Sequence, residues 1–322
     1  MMSTARTVAS AIRLVVVTGL ACALAAPGSA DAQSRFSGVV VFGTSLSDPG
    51  NAFALTGDAA KPPDFTLNPF LIPSAPYARG GHHFSNGATW VEQFGHYLGL
   101  GNSVRAAFSH PKATNYAVGA ARAYDDGVNF NLSQQVDMFL ERFDNVAPFQ
   151  SLYVIEMGSN DIRDAFALYA SGADGGPIMA QAIGSIAANI QRLYGAGARE
   201  FLVWLPPNIA LTPAIRSLPP AAQTLAGQLT QIFDTNLAGV LTQLSANLPG
   251  TSFARLDAYA LLNAIVADPG AFDLENVTTA CLRPTVSPFI CHDVDEFLFW
   301  DGIHPTKAGH AIVADEAVRA VQ

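Results

Sequence analysis

Cysteine is scarce in this sequence: Cys22, Cys281 and Cys291 are all it has in 322 residues. So few exclude a small fold stapled by many disulfides in place of a core. Basic residues are in deficit too, 17 Lys and Arg against 26 Asp and Glu. An acidic surface of this kind repels nucleic acid, which removes DNA and RNA from the candidate partners. Beyond residue 32 no segment is apolar for the ~20 residues that a helical membrane span needs. Internal repeats and low-complexity linkers are missing as well. Metal-ligand spacing is poor. His82-His83 has no Cys or carboxylate set beside it, and His292, Asp293, Asp295 and Glu296 read as a solvated loop. Neither segment is expected to hold a metal.

What is present begins with an address. Arg6 and Arg13 precede an uncharged apolar stretch, Leu14 to Ala26, followed by small residues ending Ala30-Asp31-Ala32. Basic region, apolar region and small-x-small site in that order predict a secretory signal peptide over residues 1–32, cleaved near Ala32. An uncleaved N-terminal anchor is the alternative. Cys22 raises a lipoprotein, but Gly19-Leu20-Ala21 before it fits a lipidation site poorly. Export places the protein outside the cytoplasm, secreted or periplasmic, and leaves residues 33–322 as a single domain. Removing Arg6, Arg13 and Asp31 leaves 15 basic and 25 acidic residues. Cys281 and Cys291, ten positions apart in a chain bound for an oxidising compartment, are expected to form a disulfide, the alternative being two free thiols.

The remainder alternates between two patterns. Short apolar runs at 39–42, 152–155, 201–204 and 253–256 are continuous, which suits strands of a parallel sheet covered on both faces. Between them lie helical patterns. The clearest sets Leu225, Leu229, Ile232, Phe233, Leu237, Val240, Leu241 and Leu244 on one stripe, ended by Pro249-Gly250. Further helices are expected over 88–98, 134–143, 178–194 and 307–320. Alternating strands and helices predict an α/β fold, a doubly wound, mostly parallel sheet flanked by helices. Residues 52–86 and 268–300 break the rhythm and read as long loops that shape a site.

The first strand runs into Gly43-Thr44-Ser45-Leu46-Ser47-Asp48. Ser45 thus follows the carboxyl end of a strand, where open α/β sheets place ligands. Taken alone it reads equally as a helix cap or a nucleophile. A serine nucleophile needs a base, and the base needs an orienting acid. Asp301-Gly302-Ile303-His304-Pro305 offers both: a tight turn at the glycine brings the carboxylate to one ring nitrogen and leaves the other for a serine. The plainer alternative makes Asp301 the cap of the last helix, with Pro305 in its first turn. Donors for a developing oxyanion are available at Gly119, in Asn115-Tyr116-Ala117-Val118-Gly119, and at Asn160, in Gly158-Ser159-Asn160-Asp161.

Together these segments resemble the blocks of the GDSL (SGNH-hydrolase) esterases and lipases, in particular secreted bacterial lipases of the phospholipase type. Gly43 to Asn51 is similar to the first block, Asn115 to Gly119 to the second, Gly158 to Asp161 to the third and Asp301 to Pro305 to the last. Phe84-Ser85-Asn86-Gly87 followed by Trp90-Val91-Glu92 is also typical. The resemblance implies a flavodoxin-like three-layer architecture and a serine esterase with Ser45 as nucleophile, His304 as general base and Asp301 as its orienter. It also implies an oxyanion hole from Ser45, Gly119 and Asn160. Two positions depart from the pattern. Thr44 stands where the family has aspartate, and Ala120 where a second glycine is common, which matters if that backbone needs a positive φ. The substrate is then a small-molecule or lipid ester, the latter bringing transient contact with lipid surfaces. Phe65, Phe70, Leu71, Ile72, Pro73 and Tyr77 are candidates for an acyl pocket or, as readily, core filler. Acyl transfer to an alcohol, or a non-catalytic binding protein on the same scaffold, are the other functions such a site allows.

Overall fold

The computed structural model describes Met1 and residues 35–322. The signal-peptide segment expected over 1–32 lies outside these residues apart from Met1. Four strands form one sheet in the order β1 (Gly38–Gly43), β2 (Ser151–Glu156), β3 (Glu200–Leu205) and β4 (Ser252–Asp257), and every neighbouring pair is parallel. Each expected strand is present. The apolar runs of β1, β2 and β3 are continuous because both faces are covered there, while the edge strand β4 leaves Arg255 exposed. Along β1, Val40 and Phe42 enter one core and Val39 and Val41 the other.

Between β1 and β2 come α1 (Asn51–Thr56), α2 (Trp90–Tyr97) and α3 (Leu132–Arg142). Between β2 and β3 come α4 (Ser159–Ala170) and α5 (Gly176–Ala196), and β3 leads through α6 (Pro213–Arg216) and α7 (Pro220–Asn247) to β4. The first core joins the sheet to α3, α4, α5 and α7. After β4 follow α8 (Ala258–Ala267), a two-stranded parallel unit of β5 (Asn276–Ala280) and β6 (Phe297–Phe299), and α9 (Lys307–Val321). The second core joins the sheet to α2 and α9. Two helical layers around a parallel sheet make the three-layer α/β architecture.

The winding reverses at β1. Residues 114–118 run along its other edge: Val41 N donates to Thr114 O at 2.9 Å, Tyr116 N to Val41 O at 2.8 Å and Val118 N to Gly43 O at 3.1 Å. The chain leaves β1 towards that edge and later returns to the opposite side as β2. A crevice at the carboxyl end of β1 is the outcome, the place where doubly wound sheets hold ligands.

Neither expected loop is wholly irregular. Residues 52–86 include most of α1, and 268–300 include β5 and β6. The two segments pack on each other: Phe65 and Tyr77 from the first join Cys281, Leu282, Cys291 and Trp300 from the second in a third apolar cluster. Cys281 and Cys291 are disulfide-bonded within it. Among the described residues no helix is long and apolar enough to cross a membrane.

Candidate active site

Ser45 lies two residues beyond β1, 8 % exposed. Its Oγ is 2.8 Å from His304 Nε2, across 259 positions of sequence. His304 Nδ1 is 2.7 Å from Asp301 Oδ2. A carboxylate accepts only, so this contact places the ring proton on Nδ1 and leaves Nε2 free to accept from the serine hydroxyl.

The Asp301–His304 turn is held from several sides. Asp301 Oδ1 accepts from Ile303 N and His304 N, both at 2.8 Å. Trp300 N donates to His304 O at 2.8 Å, and Gly302 N to Leu71 O at 2.8 Å. A Cβ on Gly302 would lie 2.0 Å from Phe70 O, so only glycine permits the 70–71 segment to sit there. Asp301 is therefore not the cap of α9. That role falls to Thr306, whose Oγ1 accepts from Gly309 N at 3.1 Å, and Pro305 precedes the helix.

Asn160, at the start of α4, lies against the same cavity as Ser45 and His304. One of its amide hydrogens goes to Ala121 O at 2.8 Å, leaving the other available. Gly119 differs from expectation. It lines the cavity, but its N–H donates to Asp48 Oδ2 at 2.8 Å. The neighbouring Ala120 also lines the cavity, and its backbone N–H has no partner among the described residues. Ala120 sits at φ 65°, a conformation that costs a non-glycine residue about 1–2 kcal/mol. The missing second glycine thus matters: alanine is strained at a position where glycine would rest. Ser45 N–H is likewise without a partner among the described residues.

Several motif residues build the site without facing it. Asp48 accepts from Gly50 N, Asn51 N and Ala52 N at 2.8, 2.6 and 3.0 Å in addition to Gly119 N, binding α1 to the 115–119 segment. Asn51 Nδ2 donates to Asn115 O and Ala117 O, both at 2.8 Å. Trp90 Nε1 donates to Ser47 Oγ at 3.0 Å. Thr44, in the usual aspartate position, meets the buried Glu156 at the end of β2: its N–H and Oγ1 reach the carboxyl at 2.8 and 3.1 Å. Burial pushes the pKa of Glu156 up to about 7. An aspartate at position 44 would put a second carboxyl there, so threonine avoids like-charge crowding.

Two hollows meet at Ser45. One, about 540 Å³, extends between α1 and the 118–130 segment. The other, about 60 Å³, is bounded by Leu46, Ile209, Ala214 and Ile215. Of the apolar residues expected to line an acyl pocket, Ile72 and Pro73 line the larger hollow. Phe65 and Tyr77 belong to the disulfide cluster, and residues 70–71 buttress Gly302. His83 binds Glu92 Oε2 at 2.8 Å and caps no metal set. Among the described residues no group of three His, Cys, Asp or Glu is placed to hold a metal.

Two contacts at the site carry no local sequence signal. Tyr77 OH donates to Asp301 Oδ2 at 2.7 Å. Arg163, one turn along α4, donates from Nη1 to Asn160 Oδ1 at 3.1 Å and borders both hollows. A serine, an imidazole and a carboxylate in this order, beside unpaired N–H donors, can carry out acyl transfer.

Comparison with known proteins gives the same direction. The sequence matches the family model of GDSL-like Lipase/Acylhydrolase over residues 39–317. It is 28 % identical to a GDSL esterase/lipase of Arabidopsis thaliana, over 86 % of this chain and 80 % of that protein. It is 29 % identical to Esterase EstA of Pseudomonas aeruginosa, over 92 % of this chain but 48 % of EstA, so the similarity spans about half the length of that relative. Among solved structures, an extracellular lipase of Streptomyces rimosus matches with TM-score 0.41 and 15 % identity, over 88 % of this chain and 99 % of its own. An acetylxylan esterase of Geobacillus stearothermophilus matches with TM-score 0.42 and 14 % identity, over 89 % and 94 %.

Proposed function

We propose, from the premise that the chain belongs to the GDSL-like Lipase/Acylhydrolase family of carboxylic ester hydrolases, that it cleaves esters through an acyl-enzyme on Ser45. The observation that carries this reading is the unbroken contact from Ser45 Oγ to His304 Nε2 at 2.8 Å and from His304 Nδ1 to Asp301 Oδ2 at 2.7 Å.

Ser45 Oγ attacks the ester carbonyl while His304 Nε2 takes its proton. Asp301 holds the Nδ1 proton in place and offsets the charge on the imidazolium. The tetrahedral oxyanion is met by Ser45 N–H and the spare amide hydrogen of Asn160. With Gly119 N–H given to Asp48, the third donor is assigned to Ala120 N–H. Collapse expels the alcohol, which takes the proton from His304. A water then gives a proton to His304 and attacks the acyl carbonyl; as the bond to Ser45 Oγ breaks, His304 returns that proton to Oγ and the acid is released. No step calls for a metal or cofactor.

The same reading takes residues 1–32 as a signal peptide, residues 33–322 as the hydrolase domain and the site of action as periplasmic or extracellular. The order of charge and apolarity before Ala32, and the Cys281–Cys291 disulfide, support it. Lipid esters are within the substrate class, and the 540 Å³ hollow has room for part of such a molecule.

The test is covalent. A fluorophosphonate probe should label the wild-type protein at Ser45, with hydrolysis of short p-nitrophenyl esters lost in step. Ser45→Ala should fold, resist the probe and lose activity by roughly 10⁴-fold or more. Activity within about tenfold of wild type in that variant would remove Ser45 from the chemistry.

A further inference from the structure

Arg163 carries a charge that touches no carboxylate among the described residues. The side chain is half-buried, yet of the five N–H donors of a guanidinium only one has a partner among the described residues, the contact to Asn160 Oδ1 at 3.1 Å. Among the described residues it makes no ion pair. Its neighbour Arg122 is a contrast: Asp164 lies 2.9 Å and Asp126 3.6 Å from its Nε, so that charge is matched. Burial and the nearby Arg122 press the pKa of Arg163 down against the more distant attraction of Asp164 and Asp301, neither of which pairs with it.

Holding such a cation costs free energy unless something compensates it. Asn160 needs no full positive charge to fix its amide oxygen, since a neutral donor would serve. Arg163 borders both hollows, as do Ser45 and His304. The remaining carboxylate of the larger hollow, Asp58, is exposed and screened by solvent. A guanidinium fork matches the oxygens of a carboxylate or a phosphate.

We propose that Arg163 binds an anionic group, a carboxylate or a phosphate, carried by the ester substrate near its scissile bond, and that the site thereby selects anionic over neutral esters. This rests on the hydrolase reading above and adds the class of substrate to it. The protein as a whole is acidic, −9 by formal charge, so the preference is local to this side chain and not a result of long-range attraction.

Two matched pairs of esters test it. In one, a p-nitrophenyl monoester of a dicarboxylic acid is compared with the neutral alkanoate of similar length. In the other, a short-chain 1-acylglycerol 3-phosphate is compared with the corresponding monoacylglycerol. The wild-type enzyme should favour the anionic member of at least one pair by about 10-fold or more in kcat/KM, as expected of a charge-assisted bond; the pair that shows it identifies carboxylate or phosphate as the ligand. Arg163→Gln can still donate to Asn160 and should lose that ratio, with Arg163→Lys between the two. Because the ratio is taken within each variant, a general loss of rate through Asn160 cancels. Equal turnover within both pairs by wild type overturns the proposal, even if neither variant folds. So does a ratio that survives Arg163→Gln. Failure to hydrolyse any of the four esters would instead overturn the hydrolase reading.

Discussion

Tyr77 shares Asp301 Oδ2 with His304, each at 2.7 Å. Its ring is buried and meets Trp300 edge-on, with centroids 5.8 Å apart, so the hydroxyl has little freedom to point elsewhere. Burial also raises its pKa, which keeps it a donor. Tyr77 is thus a positioning residue, acting on substrate only through Asp301 and His304. Tyr77→Phe keeps the ring and removes the donor. The freed carboxylate should stabilise the imidazolium more, moving the acid limb of the kcat/KM profile to higher pH. The altered orientation should lower kcat about tenfold, the effect of losing one bond to a charged group, with KM unchanged. A profile that does not move, together with a lowered Tm, would leave Tyr77 as packing alone. In the sequence this residue reads as pocket lining, because its partner is 224 positions away and no periodicity reports such a contact. Ser45, Asp301, His304 and Asn160 are singled out in the sequence by the resemblance of four blocks taken together, since each short pattern alone allows a cap or a turn as readily. The direction of Gly119 N–H is not legible there, since it depends on Asp48, 71 positions earlier.

Elements were legible to the degree that burial is uniform. The runs at β1 to β3 stand out because both faces of the sheet are covered there, whereas β4, at the edge, buries only Leu256 fully. The stripe of α7 stands out because one face is dry. The first turn of α4, Ser159-Asn160-Asp161, instead has the composition of a loop, and its Asp161 is spent holding Ala123 N and Tyr124 N at 2.9 and 3.1 Å. Residues 268–300 look irregular because β5 and β6 are short, Val277, Leu298 and Phe299 packing on α8, while Cys281, Leu282, Cys291 and Trp300 pack across to the 52–86 segment. That packing gives the disulfide a task. Cys281 N donates to Phe299 O at 3.0 Å and Leu282 N to Trp300 O at 2.9 Å, immediately before Asp301. Closing a loop of this length removes roughly 3 kcal/mol of unfolded-chain freedom on the entropy model, but the local effect should come first. Cys281→Ser with Cys291→Ser, or reduction, is expected to lower esterase rate at temperatures where circular dichroism still reports an intact sheet. Rate and dichroism lost together at one temperature would restrict the bridge to global stability.

For the molecule as a whole, the balance of buried charge sets how stability responds to pH. Asp48 and Asp161 are raised by burial to about 6, and Glu156 to about 7, in each case against hydrogen bonds that act in the opposite direction. Between about pH 4, where these groups titrate in the unfolded chain, and pH 7 the folded protein therefore binds more protons than the unfolded one. Stability falls as pH rises through that window. His310, lowered by burial to about 3, acts in the opposite sense from pH 3 to 6.5. His82, lowered too, joins His310, but Asp234, raised by burial to about 8, is a fourth carboxyl on the other side. Two histidines do not offset four carboxyls, and the growing negative charge of an acidic chain adds to the decline. Asp126, desolvated yet held well below the usual carboxylate range by the bonds it accepts from Asn129, Asn131 and Val128, contributes its stability above pH 4 and loses it only in stronger acid. The expected result is a Tm by calorimetry that is higher near pH 5 than near pH 8. Glu156→Gln preserves an acceptor for Thr44 N–H without a group that must ionise, so its Tm should fall less over the same range. A Tm that rises steadily from pH 4.5 to 8, or a variant whose slope matches wild type, would show that these carboxyls are already ionised in the fold and that the bonds from Thr44, Gly119 and Ala123 outweigh their burial.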